Sequence, residues 1–138
     1  MSKIATLQPN CIWQRFDEIC QIPRPSKHEE KITKYLLDFA EQRNLTHRQD
    51  SAGNVFIEKP ATKGFENLEP VVLQAHVDMV PQKRNDVNHN FLTDPIEAYI
   101  DGNFVRAAGT TLGADNGIGV AMILAILDSN SIEHGEIH

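Results

Sequence analysis

The sequence predicts an α/β fold in which a mixed sheet is flanked by helices. Three observations support this prediction: helical periodicity near the N-terminus, strand-like segments in the middle, and an apolar helical segment near the C-terminus. The resulting order of two helices, two strands, one strand, two strands and a helix is typical of helices packed on a mixed sheet. A chain of 138 residues has the length of one domain and can bury a real core.

Two amphipathic helices are predicted in the first third of the chain. Apolar residues recur at helical spacing over residues 10–21, and Pro23 and Pro25 end this segment. Ser26 and Glu29 form a capping-box pattern for a second helix that continues to about residue 42. The apolar stripe of this second helix consists of Ile32, Tyr35, Leu36 and Phe39.

Strands are predicted in the middle of the chain. Residues 45–58, interrupted by a turn signal at residues 51–54, predict two strands. Val55 and Ile57 then share one face, and Phe56 lies on the other. Residues 59–69 are polar and are expected to form a loop.

The run Val71-Val72-Leu73 lacks alternation between apolar and polar residues, which favours a central strand covered on both faces. In an open α/β sheet, ligands collect at the carboxyl ends of such strands. His76 falls at that end of the predicted strand. A functional site is therefore expected there.

A hairpin and a last helix complete the prediction. Residues 96–100 and 104–107 flank Asp101-Gly102, which is a strong signal for a tight turn between two strands. A third helix is predicted from near Asn116 to Leu127. Because this helix is apolar on most sides, we expect it to be buried.

Charge and hydropathy exclude several classes of partner. The formal net charge of -6 and a pI near 5.4 argue against nucleic acid, since the chain has no basic stripe that could follow a phosphate backbone. The longest apolar stretch, Val120–Leu127, is shorter than the ~20 residues of a membrane span, and no apolar export signal is present near the N-terminus. These features predict a cytoplasmic protein without a membrane partner.

Cys11 and Cys20 are not expected to form a disulfide. On one helix they lie on opposite sides and roughly 13 Å apart along the axis, which is too far for an S–S bond. Two unpaired cysteines are consistent with a reducing compartment. We expect both to be small buried hydrophobic side chains.

His76 and Asp78 form an H-x-D pattern at the end of the predicted central strand. Side chains two residues apart on a strand share a face, so the carboxylate can hold one ring nitrogen while the other binds a metal ion. A lone histidine near a strand end is more often an ordinary hydrogen-bonded residue. The aspartate at the second position after it favours the ligand interpretation.

Asp115 lies in the glycine-rich segment Gly109–Gly119. Aspartate in such a segment usually serves turn formation. This segment, however, leads directly into an apolar helix, and Asp115 is its only carboxylate. A carboxylate can offer one oxygen to each of two ions ~3.5 to 4 Å apart, so we assign Asp115 as a bridging ligand. With His76 it provides only two protein ligands, fewer than two zinc ions need.

Two other interpretations remain open for this segment. The Gly109–Gly119 loop could cradle an anion or nucleotide at the N-terminus of the last helix. It lacks the Lys and Ser/Thr of a P-loop, and Asp115 would repel a phosphate. Alternatively, the chain is a non-catalytic remnant or an interaction module.

Two long motifs carry a family resemblance. The segment V-V-L-Q-A-H-V-D-M-V-P-Q-K-R-N at residues 71–85 and the segment G-T-T-L-G-A-D-N-G-I-G at residues 109–119 closely resemble the aminoacyl-histidine dipeptidases. These enzymes, also called cytosolic nonspecific dipeptidases, are carnosinase-like members of the dinuclear zinc peptidase clan. The resemblance extends from about Leu7 through His134 and so covers nearly the whole chain.

The resemblance implies a metal-dependent hydrolase of dipeptides, especially Xaa-His dipeptides such as β-alanyl-histidine. It implies two zinc ions in the complete enzyme, with cobalt or manganese as substitutes. His76 resembles a ligand of one zinc, Asp78 the catalytic residue that orients it, and Asp115 the carboxylate that bridges both zincs. The bond between Asp115 and Asn116 is similar to one that the clan usually holds in cis.

The chain departs from the family's pattern after the last helix. Family members continue into a strand and an adjacent Glu-Glu pair, which serves as general base and zinc ligand, and residues 132–138 are expected to end before that strand. Glu29-Glu30 is an adjacent pair, but it suits the first turn of a helix. His138 is expected to be solvated.

The later aspartate and histidine ligands and the smaller lid domain of the family are also missing. The resemblance therefore implies that residues 1–138 are the N-terminal part of a single zinc-peptidase catalytic domain, inactive by itself. The lid supports dimerisation in the family, so a homodimer is expected only of the full-length protein.

Overall fold

The computed structural model describes residues 3–138 and has the predicted α/β character. A short 3-10 helix, Lys3–Thr6, precedes the main elements. Within the described residues these are α1 (Asn10–Cys20), α2 (Glu30–Gln42), β1 (Thr46–Gln49), β2 (Val55–Glu58), β3 (Ala98–Asp101), β4 (Phe104–Ala107) and α3 (Ala114–Asp128). Short sheets flanked by helices confirm the predicted fold class.

The core lies where α1 packs against α3 and where α2 covers the sheet side. Its buried apolar side chains come from all three helices: Phe16, Ile19, Ile32, Leu36, Phe39, Val120, Leu124 and Leu127. The helical periodicity therefore identified the correct faces of α1 and α2. None of the helices within residues 3–138 combines the length and apolar character that crossing a bilayer requires.

The first hairpin agrees with its prediction. β1 and β2 pair antiparallel, with Thr46 opposite Glu58 and Gln49 opposite Val55. Val55 and Ile57 pack on the core side, whereas Phe56 faces outward beneath the guanidinium of Arg48. Period-two alternation determined this result because one face of the hairpin is buried.

The strands of the second hairpin were predicted correctly, but the position of its turn was not. Asp101 pairs with Phe104, so the two connecting residues are Gly102 and Asn103 rather than Asp101 and Gly102. Gly102 has a φ of 58°, as a tight two-residue connection requires. The prediction placed the turn one residue too early.

The prediction of a covered central strand at residues 71–73 was wrong. These residues form no continuous strand, and Val72 is 73% exposed. Val71 makes only a parallel bridge to Ile137, which also makes an antiparallel bridge to Lys59. An apolar run indicates that its residues favour burial. Actual burial also requires a neighbouring strand and helices that cover both faces, and the run itself does not determine whether these are present.

The C-terminal residues contact the segment at residues 71–73. The backbone N–H of His138 donates to Val71 O at 2.9 Å, and Leu73 N donates to His138 O at 2.8 Å. The segment around Ile137 therefore makes isolated bridges to Val71 and Lys59 without forming a strand within the described residues. The imidazole of His138 is exposed, as expected, and contacts the Glu136 carboxylate at 2.6 Å.

The capping box predicted for α2 is absent. Glu29 occupies the N-cap position without a side-chain cap, and its carboxylate instead accepts from Lys27 N at 2.6 Å. The hydroxyl of Ser26 donates to the carboxylate of Asp78. The Ser26 side chain therefore contacts a residue that is distant in sequence instead of capping α2.

Both cysteines are free, as predicted, but their environments differ. Cys20 is buried in the core, whereas Cys11 is exposed. The prediction of two buried thiols was therefore wrong for Cys11. The reason is geometric, since residues on opposite sides of an amphipathic helix cannot both face the core.

The last helix begins slightly earlier than predicted. It spans Ala114–Asp128, but Asp115 and Asn116 have non-helical backbone angles, so its regular part starts after them. The side facing α1 is buried, while Met122 is 46% exposed. Burial of α3 is therefore partial within the described residues.

Candidate metal centre

The structure brings the three predicted site residues together. His76 and Asp78 lie on the extended segment that follows Val71–Leu73, and Asp115 lies at the start of α3. His76 Nδ1 is 3.1 Å from Asp78 Oδ1, and His76 Nε2 is 3.0 Å from Asp115 Oδ1. One imidazole therefore lies between two carboxylates from segments that are distant in sequence. The Asp115–Asn116 peptide bond is cis, as the resemblance implied.

The site is open to solvent on one side. The side chain of Asp115 is 97% exposed, and that of His76 is 49% exposed. Asp78 lies deeper and is held from behind by the Ser26 hydroxyl. The Asp115 carboxylate and the His76 ring are thus accessible to solvent, whereas the Asp78 carboxylate is supported by the protein.

Hydrogen bonds explain the protonation behaviour of this group. The bond to Asp115 raises the pKa of His76 above its usual value, and the bond to Asp78 acts in the same direction. The bond from Ser26 lowers the pKa of Asp78, with a further contribution from His76. The arrangement therefore favours a positive charge at the imidazole, which either a proton or a metal cation at Nε2 can provide.

The two donors lie at hydrogen-bond distance and would have to separate slightly to share one metal ion. Tetrahedral zinc binds histidine nitrogen and carboxylate oxygen at about 2.0 to 2.2 Å, which places two donors of the same ion about 3.3 to 3.6 Å apart. The observed separation of His76 Nε2 and Asp115 Oδ1 is 3.0 Å. Across residues 3–138, however, no cluster of three or more His, Cys, Asp or Glu side chains has the geometry to hold a metal ion. The described residues supply a partial donor set.

The glycine-rich loop is not organised as an anion cradle. Several of its backbone N–H groups are used within the protein: Thr111 N donates to Gln82 O, Gly117 N to Gly113 O, and Gly119 N to the side chain of Asn116. The exposed carboxylate of Asp115 stands at the same helix end. These contacts argue against the anion-binding interpretation.

One residue at the site was missed by the sequence reasoning. Arg24 is 1% exposed, and its guanidinium donates to Val77 O at 3.0 Å and to Gly113 O at 2.7 Å. Burial lowers the pKa of Arg24, while the nearby Asp78 carboxylate opposes this change. An arginine between two prolines looks like a loop residue, so no sequence signal distinguished it from an exposed one.

An open groove of about 810 Å³ runs beside the site. Its walls come from α2, β2, α3 and residues 72–78, and they include His76 and Asp78. Glu29 and Glu30 also line it. The Glu29 carboxylate is engaged by the backbone of Lys27, so this pair keeps the local role expected from the sequence.

Comparisons with known proteins agree with the motifs. No family model matches the sequence. The cytosol non-specific dipeptidase of Escherichia coli strain K12 is 52% identical over 137 residues, which cover 99% of this chain and 28% of that protein. The crystal structure of aminoacylhistidine dipeptidase from Vibrio alginolyticus matches with a TM-score of 0.96 at 58% identity, over 99% of this chain and 28% of that one.

A tripeptidase from Staphylococcus aureus shares the fold, with a TM-score of 0.74 at 21% identity over 95% of this chain and 35% of that one. The chain thus spans just over a quarter of the length of the two dipeptidases that it matches. These matches confirm, over nearly the entire chain, the resemblance stated from the two motifs.

Proposed function

We infer that this chain is the N-terminal portion of a member of the aminoacyl-histidine dipeptidase family, and we propose that the whole protein hydrolyses dipeptides. Two relatives above 50% identity support the family, and both are named dipeptidases. The observation that carries the site assignment is the placement of His76 between Asp78 and Asp115. Residues 1–138 then form part of a single catalytic domain, with the lid domain outside them.

We propose that His76 Nε2 and Asp115 hold zinc and that Asp115 bridges a second ion in the whole enzyme. When bound, the metal supplies Lewis acidity at the scissile carbonyl. Asp78 would hold a proton on His76 Nδ1, so that Nε2, on the side of Asp115, would be free to bind the metal. Ser26 fixes the Asp78 carboxylate from the opposite side. Cobalt or manganese can substitute where carboxylate and imidazole donors dominate.

The substrate class follows from the relatives' names and remains a proposal for this chain. We propose Xaa-His dipeptides, such as β-alanyl-histidine, as preferred substrates, because one relative is named for aminoacylhistidine. The other is named for the cytosol, which supports a cytoplasmic location. A homodimer is proposed only for the whole protein.

The 138-residue chain alone is expected to lack dipeptidase activity. Within residues 3–138 no glutamate joins His76 and Asp115 in a metal-binding group, and general-base assistance is typically worth about 10² to 10⁴-fold in rate. Metal binding should also be weak and limited to one ion, since Asp115 is the single proposed carboxylate ligand. Turnover of a Xaa-His dipeptide by the purified chain, free of host peptidases, would contradict this proposal.

Calorimetric titration with Zn²⁺ tests the site directly. We expect weak binding of one ion to the chain and loss of that binding in His76→Ala and Asp115→Ala. His28→Ala is a matched control, because His28 is exposed and lies outside the site. Equal zinc binding by all three variants would overturn the assignment, as would two tightly bound ions per chain.

A further inference from the structure

The buried guanidinium of Arg24 lies between the two segments that carry the proposed metal ligands. One segment contains His76 and Asp78, and the other is the loop that leads to Asp115. Arg24 is almost fully buried, although its hydrogen bonds go to neutral carbonyl oxygens rather than to a carboxylate. Burying a cation costs free energy unless it is fully hydrogen-bonded, so this placement calls for an explanation.

The geometry of the guanidinium matches the gap between the segments. Nη1 donates to Val77 O at 3.0 Å and to Asp78 O at 3.3 Å, while Nη2 donates to Gly113 O at 2.7 Å. The planar fork of arginine can hold two backbone segments at a fixed separation. The compact ammonium of lysine cannot reproduce these directions.

The backbone beside Arg24 ties the same segment from a second direction. Met79 N donates to Arg24 O at 3.0 Å, and Ser26 N donates to Met79 O at 3.1 Å. The hydroxyl of Ser26 also contacts the Asp78 carboxylate. Arg24 is therefore anchored on the histidine segment through its own main chain, and its side chain reaches across to the aspartate loop.

The loop is shaped to accept the guanidinium. A Cβ at Gly113 would lie 2.6 Å from Arg24 Nη2, and a Cβ at Gly117 would lie at the same distance. Gly113 also has a φ of 70°, which favours glycine. One glycine on each side of Asp115 thus leaves space for Arg24. This observation does not depend on the hydrogen bonds of Arg24.

We propose that Arg24 is a positioning residue that sets the distance between His76 and Asp115, and hence the metal-binding geometry. This inference rests on the proposed function of those two residues. Arg24 does not touch the ion and acts through Val77, Asp78 and Gly113. Its removal should let the start of α3 move relative to the histidine segment.

The test compares Arg24→Met and Arg24→Lys with the unaltered 138-residue chain. Titration with Co²⁺ measures the metal affinity, and urea unfolding measures stability. The ring resonances of His76 in metal-free, ¹⁵N-histidine-labelled protein report its contact with Asp115. We expect both variants to bind Co²⁺ at least about 10-fold more weakly, which is the typical loss when a residue that supports a metal ligand is replaced. We also expect both variants to shift the ring resonances of His76.

Ile32→Val is the matched control, because Ile32 is a buried core residue of α2 without a polar side chain. It should lower the urea midpoint while leaving Co²⁺ affinity and the His76 resonances unchanged. A folded Arg24→Met variant with unaltered affinity and resonances would overturn the proposal. If that variant does not fold, the same comparison with Arg24→Lys decides the matter.

The two proposals fail in different ways. Failure of the unaltered chain to bind Co²⁺ would count against the proposed metal site, whatever Arg24 does. In that case the His76 resonances still test the positioning role, because they are recorded without metal. Unshifted resonances in both folded Arg24 variants would exclude that role.

Discussion

At the scale of single residues, the orientation of His76 depends on Asp78. Asp78 Oδ1 accepts from His76 Nδ1 at 3.1 Å and so holds the ring; in the proposed site Nε2, on the side of Asp115, would be the metal-binding atom. The sequence predicted this pair from its spacing alone, because alternate side chains of an extended segment share a face. It could not predict that Ser26 would support Asp78, since Ser26 has an equally good local use as a helix cap.

Asp78→Asn should weaken metal binding by about 10 to 100-fold, in line with losses at other groups that orient metal-bound histidines. The amide can donate to Nδ1, which favours the tautomer with its proton on Nε2 and blocks the metal-binding position. Calorimetry with Zn²⁺ measures the effect. Asp86→Asn is the control, because Asp86 is exposed and pairs with the neighbouring Arg84. Equal affinities in the two variants would contradict the orienting role.

The two cysteines should differ in reactivity. Burial raises the pKa of Cys20 to about 12, whereas Cys11 is exposed. Since the thiolate is the reactive form, iodoacetamide at pH 8 should label Cys11 and leave Cys20 unmodified in the folded chain. Peptide mass spectrometry locates the label, and urea-unfolded protein provides the control in which both react. Equal labelling in the folded chain would show that α1 does not bury Cys20.

At the scale of elements, a charged cluster joins the three helices. Asp128, at the end of α3, accepts from Arg15 of α1 at 2.8 Å and from Arg43, at the end of α2, at 2.5 Å. Arg43 also stacks on the ring of Phe39, 3.8 Å from its centre. These contacts fix the C-terminal end of α3, while the candidate site lies at its other end.

Asp128→Asn should lower the free energy of unfolding by roughly 1 kcal/mol at neutral pH, because Asp128 is partly exposed and its ion pairs are screened. The Arg43 hydrogen bond, followed by that of Arg15, holds the pKa of Asp128 below its ordinary value of 3.8. A carboxylate whose pKa is lower in the folded state stabilises the fold at pH values above its unfolded-state pKa. This contribution to stability is lost as the pH falls through the folded-state pKa.

The stability difference between the unaltered chain and Asp128→Asn should therefore be constant from pH 7 to about pH 5 and shrink below about pH 4. Urea unfolding at several pH values measures it. Asp38→Asn, which removes an exposed pair with Lys34 within α2, should have a smaller effect. A difference that grows as the pH falls would contradict the assigned cause.

At the scale of the whole molecule, the extended segment beside the groove leaves apolar side chains exposed. Val71 and Val72 are both more than half exposed. On one side, the backbone of this segment pairs with the segment around Ile137. An open backbone edge with apolar side chains favours association. Val72→Lys should therefore reduce concentration-dependent association of the 138-residue chain in sedimentation velocity.

Met122→Lys provides the comparison for this prediction. Met122 is 46% exposed but lies on α3, whose backbone bonds are made within the helix. It should change association less than Val72→Lys does. If the two variants behave alike, general surface hydrophobicity rather than the open edge drives the association.

The sequence by itself predicted the helices, both hairpins and the grouping of His76, Asp78 and Asp115, because each depends on local periodicity, turn chemistry or a long motif. Only the tertiary structure decided that Ser26 supports Asp78, that Arg24 is buried between the site segments, and that Ile137 pairs with Val71. These outcomes depend on which segments, distant in sequence, come together in the fold. The type of a residue does not show whether its side chain will bind a neighbour in sequence or a distant segment.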